Sequence, residues 1–266
     1  MGNIFEILLI QPITNIGLAL YVLLNGVGVP FALGFSIILL TVIIRLFLYP
    51  VMSKQMKSAK SMQMLAPHLS TIKEKHKDDK KKQQEEMMKL YKEHGINPAA
   101  GCLPLIIQLP VLWSLYKVLS TIVSSDSVKV MKDLNQTAYF EWMKISEPLH
   151  TGFFGLNLAH SPSKEFSVAP YLILVPVLTG VSQFILSKMM LPAETPPKKD
   201  GKEDFQTTFQ KQSLFIFPIM IGFFSFSLPV GLSLYWNTFT LFGILHQYKI
   251  GGWGGMLPII HKIKNR

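Results

Sequence analysis

The chain has 266 residues, 49% of them hydrophobic and only 16% charged, with a formal net charge of +10 and a mean hydropathy of +0.32. That share of apolar side chains exceeds what one soluble core of this size absorbs, so lipid is the expected solvent. The single cysteine, Cys102, excludes an intrachain disulfide and sits in no metal-ligand pattern; no metal and no other cofactor is expected.

Residues 1–29 read as an N-terminal outer segment. Residues 1–44 contain no Lys or Arg, so the positive region of an ordinary cleavable signal is missing. The start "MGNIFE" places Glu6 where a myristoylation motif needs Ser or Thr. The apolar stretch 4–24 is interrupted by Gln11, Pro12, Thr14 and Asn15 and makes a poor span; 11–25 is expected to lie as a helix in the membrane interface.

A hydrocarbon layer of about 30 Å takes about 20 helical residues. Five segments meet that requirement: 30–51, 101–123, 168–190, 212–228 and 229–248. Only "SLPVGLS" separates the last two, where Pro229 and Gly231 can reverse the chain; one long bent helix is the alternative.

Between the first two spans, residues 52–100 predict a helical hairpin, with helices near 53–77 and 82–94. The turn "KDDKKK" joins them, and Gly95 and Pro98 supply stop signals. Met56, Met62, Met64, Met87 and Met88 give the hairpin a soft apolar stripe against a lysine-rich face. A solvated hairpin packed on itself and a surface that captures apolar peptide or lipid headgroups both fit that pattern.

Loop charges set the orientation and argue against a specific nucleic-acid partner. Segment 52–100 has eleven lysines against six acids, and the outer loop 124–167 has four against five. The loop 191–211 adds four lysines, and the short tail 249–266 has four basic residues and no acid. Basic residues therefore concentrate on alternate sides, which places the N-terminus outside and the C-terminus in the cytoplasm.

Arg45 lies inside the first span, about six residues, or roughly 9 Å of helix, from its inner end. It either snorkels to the interface or faces the bundle, where it needs water or partners. On the third span Thr179, Ser182, Gln183 and Ser187 share one face; on the fifth Ser233, Trp236, Asn237 and Thr240 do so; Gln108 lies in the second. Such stripes serve as interhelical glue or, converging with Arg45, line a hydrated cavity. Lys117, near the outer end of the second span, reads as a snorkelling charge. The spans hold no Asp or Glu, so a proton relay lacks its groups, and no hydrolase motif appears. No enzyme is expected.

The runs "GFSIILLTVIIRLFLYPV", "NPAAGCLPLIIQLP" and "PVGLSLYWNTFTLFGILHQY", in that order, resemble the YidC-type membrane protein insertases of the YidC/Oxa/Alb family, in a short bacterial form without a large outer domain. The resemblance covers about residues 11–250. It implies an all-α, multi-pass protein of the bacterial inner or plasma membrane, with five transmembrane helices around a positively charged groove open to the cytoplasm. Arg45 matches the groove arginine of that family, Gln108 and Trp236 fall in its motifs, and Gln183, Ser233 and Asn237 join the groove by helical spacing. The implied role is to move short polar tails across the bilayer and release helices into lipid. Nascent membrane proteins and membrane lipids are the implied partners, with the Sec translocon and the ribosome as further ones. A channel or solute transporter and a non-catalytic assembly scaffold are the alternatives.

Overall fold

The computed structural model describes residues 4, 6–95, 109–117, 119, 127–192 and 205–264. The described chain is almost wholly helical. A π turn, Glu6–Ile10, leads into α1 (Gln11–Gly26), followed by α2 (Ala32–Met64), α3 (Ala66–Lys75) and α4 (Lys80–Glu93). Residues 109–117 are helical. Then come α5 (Ser127–Thr137), α6 (Leu174–Met189), α7 (Phe205–Ser227), α8 (Val230–Gly251) and α9 (Leu257–Lys264). The one sheet among the described residues is the hairpin Gly152–Phe153 with Leu156–Asn157. Its turn residues Phe154 and Gly155 both have positive φ, 47° and 81°, the conformation that matches strand twist in a two-residue hairpin.

Three helices among the described residues are long and apolar enough to cross a membrane: Glu6–Gly26, Ala32–Met62 and Pro170–Met189. Two of these, Ala32–Met62 and Pro170–Met189, correspond to the expected first and third spans. The apolar part of α7, Gln212–Ser227, is shorter, and α8 is long enough but carries Ser233, Asn237, Thr240, His246 and Gln247. The segment 101–123 is described only at 109–117 and 119, so Cys102 and Gln108 lie outside the described residues.

The helix expected at 11–25 is α1, which the π turn Glu6–Ile10 extends toward the N-terminus. Its polar groups find partners instead of breaking it. Asn15 Nδ2 donates to the carbonyls of Gln11 (3.0 Å) and Thr137 (2.9 Å), and Asn15 Oδ1 accepts from the Tyr139 N–H. Thr14 and Ser114 share a hydrogen bond, and Pro12 falls in the first turn of α1, where a missing N–H does little harm. Lys117, expected to snorkel, is ion-paired with Glu6 at the start of this segment.

A second difference concerns the hairpin. Its first helix does not start afresh near residue 53: α2 runs unbroken from the first apolar segment through Pro50 to Met64. The chain bends only at Leu65, and α3 starts with Pro67 in its first turn. Asp79 caps α4 by accepting from the Lys82 N–H. Leu65, Leu69 and Tyr91 form a small core of their own, with Met62, Met87 and Leu90 packed on it; burial raises the Tyr91 phenol above its ordinary pKa.

The main core joins α1 (Leu18, Tyr21), α2 (Leu33, Ile37, Leu40), 109–119 (Leu115, Leu119), α5 (Val130, Leu134) and α8 (Leu232, Tyr235), with Leu158 from the connecting segment. α6 packs on α7, and α8 packs on both α2 and α6. The outer faces of α6 and α7 expose Val177, Val181, Phe215, Ile219 and Phe223; an apolar surface of that extent belongs against lipid or another apolar partner.

The chain does break at "SLPVGLS". α7 ends at Ser227, Pro229 is extended (φ −54°, ψ 140°), and α8 starts at Val230. The first N–H groups of a helix lack intrahelical partners; here Val230 N–H donates to the His160 carbonyl and Gly231 N–H to that of Leu158, both at 2.8 Å. A Cβ on Gly231 would stand 2.7 Å from Leu119 Cδ1 and 3.1 Å from the Leu158 carbonyl oxygen, so only glycine lets the connecting segment close over the end of α8.

The tail 249–266 is not a free extension in its described part. Gly252 turns the chain with φ 67°, and Gly255 N–H donates to the Leu191 carbonyl at 2.8 Å. Glycines at 254 and 255 allow the backbone to approach the carbonyls of Lys188, Met189 and Leu191 closely. That contact holds the turn Gly254–Met256, which leads into α9, against the end of α6.

Candidate functional site

Arg45, Tyr49 and Ser53 stand at i, i+4 and i+8 on α2 and so share a face. Opposite them on α8 stand Phe239, Phe242, Gly243 and His246, at i, i+3, i+4 and i+7. These two stripes form the polar contact between the helices. Arg45 Nη2 donates to the Phe239 carbonyl at 2.7 Å, and its guanidinium carbon lies 3.4 Å from the centre of the Phe239 ring and 5.7 Å from that of Phe242. A cation over an aromatic face is attracted to the ring quadrupole, by about 2 kcal/mol or more when water is excluded.

The arginine is only 7% exposed, so it faces the bundle and does not snorkel. Gly243 makes this possible: a Cβ there would stand 3.0 Å from Arg45 Nη2 and 3.0 Å from Leu186 Cδ2. No carboxylate pairs with Arg45 among the described residues, and its buried Nε has no hydrogen-bond partner there. The guanidinium thus keeps its charge and an unused donor, which is the arrangement that attracts an anion.

Further along α8, His246 is 2% exposed. Its Nε2 lies 2.8 Å from Ser53 Oγ, and its ring stacks on Tyr49 with centroids 4.2 Å apart. His246 lies near the end of the expected fifth span, 229–248, and is not among the residues that the sequence singles out. Helical spacing of Tyr49 and Ser53 after Arg45, and of His246 after Phe239, was the available signal.

The remaining candidates form a separate seam. Asn237 Nδ2 donates to Thr179 Oγ1 at 2.8 Å and to the Ser233 carbonyl at 2.9 Å, while Asn237 Oδ1 accepts from Ser182 Oγ at 3.0 Å. Ser225 on α7 shares hydrogen bonds with Thr179 and Ser233. Ser182, Ser225, Ser233 and Thr179 are buried. Thr240 donates to Gln183 Oε1 at 3.3 Å, and Trp236 is half-buried on α8. Ser233 and Asn237 therefore bind α6, α7 and α8 together. The hydrogen bonds described for them do not reach Arg45. Small polar groups between helices in an apolar solvent hold them in this way, at about 0.6 kcal/mol per bond on average.

The methionine stripe of the hairpin divides. Met62 and Met87 close the hairpin core, Met56 and Met64 line a cleft beside Met189 and Met190, and Met88 is 46% exposed.

A family model described as "60Kd inner membrane protein" matches residues 24–253. The "Membrane protein insertase YidC" of Fusobacterium nucleatum is 35% identical over 218 residues, 82% of this chain and 85% of the relative. The "Inner membrane protein ALBINO3, chloroplastic" of Arabidopsis thaliana is 32% identical over 248 residues, covering 88% of this chain and 50% of its own length. The "Membrane protein insertase YidC" of Streptomyces avermitilis is 34% identical over 227 residues, covering 80% and 50%. The chain thus spans most of the first relative and about half of the other two.

Proposed function

We infer the function from one premise: this chain belongs to the YidC/Oxa/Alb family of membrane protein insertases. It is a multi-pass, helical membrane protein with an insertase role, and its substrates are nascent membrane proteins. The mechanism proposed from its geometry is electrostatic. The observation that carries it is Arg45, buried against α8 with one donor on a backbone carbonyl, one donor unused and no carboxylate partner among the described residues.

An unsatisfied polar group in hydrocarbon costs several kcal/mol, so a polar tail crosses only if the path through oil is shortened and its charge is compensated. In this mechanism the end of α2 and the hairpin α3–α4 meet the substrate first, with Met56 and Met64 on α2 and Met88 on α4 presenting apolar surface. The acidic tail of the substrate then displaces Phe239 and Phe242 from Arg45 and pairs with the guanidinium. A carboxylate at about 4 Å gains about 4 kcal/mol at an effective dielectric constant near 20. Separation of α2 from α8 creates the groove, open to the cytoplasm, and Gln183 and Trp236 line it, with Gln108 assigned there by its motif. The seam of Ser233 and Asn237 holds α6, α7 and α8 as one body during that movement. The apolar helix of the substrate leaves along the second and fourth spans, drawn by about 25 cal/mol per Å² of apolar surface removed from water, without ATP.

The orientation in this scheme is N-terminus outside and C-terminus in the cytoplasm, so α3–α4 and the lysine-rich loops face the cytoplasm, where a ribosome or Sec translocon delivers substrate. The test uses the purified protein in liposomes with a single-span substrate carrying an acidic N-terminal tail, scored by protease protection. Arg45→Lys retains much of the protection and Arg45→Ala loses it, while neutral tails change little. Equal protection of acidic tails by wild type and Arg45→Ala would remove the electrostatic role.

A further inference from the structure

Arg45 is not the only cationic feature at this end of the molecule. Between α2 and α8 lies a cavity of about 680 Å³ whose polar wall is Tyr49, Ser53, Lys57, Lys60, Ser61 and Lys249. It has room for a solute much larger than one water, whose share of liquid volume is about 30 Å³. Beside it runs a cleft of about 440 Å³ lined by Met56, Met189, Met190 and Leu257. Lys60, Met64 and Ile250 belong to both, so the cationic cavity and the apolar cleft are continuous. None of the three lysines has an ion-pair partner among the described residues.

We propose that this composite site binds an anionic phospholipid, with its phosphate among Lys57, Lys60 and Lys249 and an acyl chain in the methionine cleft. The chemistry of the two parts carries the choice. One compact anion joined to a featureless apolar chain matches three lysines at one end of a cleft with thioether and aliphatic walls. A peptide entering that cleft would bring backbone N–H and C=O groups, and the one side-chain amide in the wall, Gln247, already donates to the Met189 carbonyl; leaving most of them unpaired is costly. Methionine, unbranched and polarizable, also adapts to a mobile chain better than branched side chains do. The level of the site agrees: Tyr248 and Trp253, with ring centroids 5.0 Å apart and both partly exposed, sit at the end of α8, and Tyr and Trp concentrate at the height of lipid headgroups. Basic pockets between helices at the cytoplasmic end are where anionic headgroups are held. Leu257, the first residue of α9, also lines the cleft.

This site goes beyond the insertase mechanism and does not depend on it, because lipid retention and tail protection are scored separately. The full chain, purified in detergent, is mixed with phosphatidylglycerol or phosphatidylcholine, and bound lipid is counted by native mass spectrometry. Wild type should prefer phosphatidylglycerol. The triple variant Lys57→Gln, Lys60→Gln, Lys249→Gln should lose that preference by on the order of 10- to 100-fold. A control with the same charge loss on the exposed start of α4, Lys80→Gln, Lys81→Gln, Lys82→Gln, should keep it. Equal loss in both triple variants reduces the effect to general charge and overturns the site. Retention of an acidic single-span peptide in place of phosphatidylglycerol, lost only in the first variant, assigns the cavity to substrate and also overturns it.

Discussion

At its N-terminal end α8 meets its neighbours through aliphatic side chains, the Ser233–Ser225 hydroxyl pair and two backbone hydrogen bonds, those of Val230 and Gly231 to the segment at 158–160. Several turns further along, the same helix meets α2 through a guanidinium, a hydroxyl and an imidazole. The first contact pairs the Val230 and Gly231 N–H groups and packs Gly231 on Leu119, so opening it would expose both apolar area and bare N–H groups. The second holds a buried charge without a counter-ion among the described residues, so an anion that enters can recover part of what separating the helices costs. The contrast identifies which end is suited to stay shut and which to open, and it can be tested at each end.

The largest effect on stability should come from Gly231→Val. Its added side chain meets Leu119 and the Leu158 carbonyl, and overpacking of this kind costs about 1–3 kcal/mol or more. A lower Tm with impaired insertion of acidic and neutral tails alike is expected; an unchanged Tm would mean that this end is loose after all. Asn237→Ala should follow, removing hydrogen bonds to Thr179, Ser182 and Ser233 and costing about 1–2 kcal/mol in unfolding from mixed micelles. Because the seam is taken to move as one body, acidic and neutral tails should again be affected equally.

At the other end, Ser53→Ala removes one hydrogen bond to His246 and should cost about 0.6 kcal/mol. Easier separation of α2 from α8 should make initial insertion rates of acidic tails equal to or above wild type; a marked fall would show that this contact supports the active arrangement. The smallest global effect is expected for Asp79→Ala. Loss of the cap should weaken α4 by about 1 kcal/mol locally, seen as faster amide exchange in the first turn of α4, with no shift of the main unfolding transition.

Arg45 and the pairing of the hairpin helices were legible in the sequence because both depend on local pattern: one charge in an apolar run, and stop signals around a charged turn. The continuity of α2 was not legible, since Pro50 reads as a boundary, yet the helix continues past it with lysines and methionines already turned toward α8. The helix expected at 11–25 is α1, but how Gln11, Thr14 and Asn15 fit inside it was not legible. Whether a polar group is accommodated in a helix depends on whether a partner such as Thr137 or Ser114 stands beside it, and those partners lie 122 and 100 residues away. Likewise, Ser233 and Asn237 share a helical face by spacing, but only their neighbours on α6 and α7 decide whether that face meets water or other hydroxyls.

Composition and motif order by themselves determined the solvent, the helical class and the family, because hydropathy over about 20 residues is a property of local sequence. Only the tertiary structure decided that Arg45 lies between two phenyl rings on a backbone carbonyl, that His246 ties α8 to α2, and that three lysines from two helices share one cavity. Those are statements about which faces meet, and hydrogen bonds and charges act over a few ångströms between residues that the chain itself holds far apart.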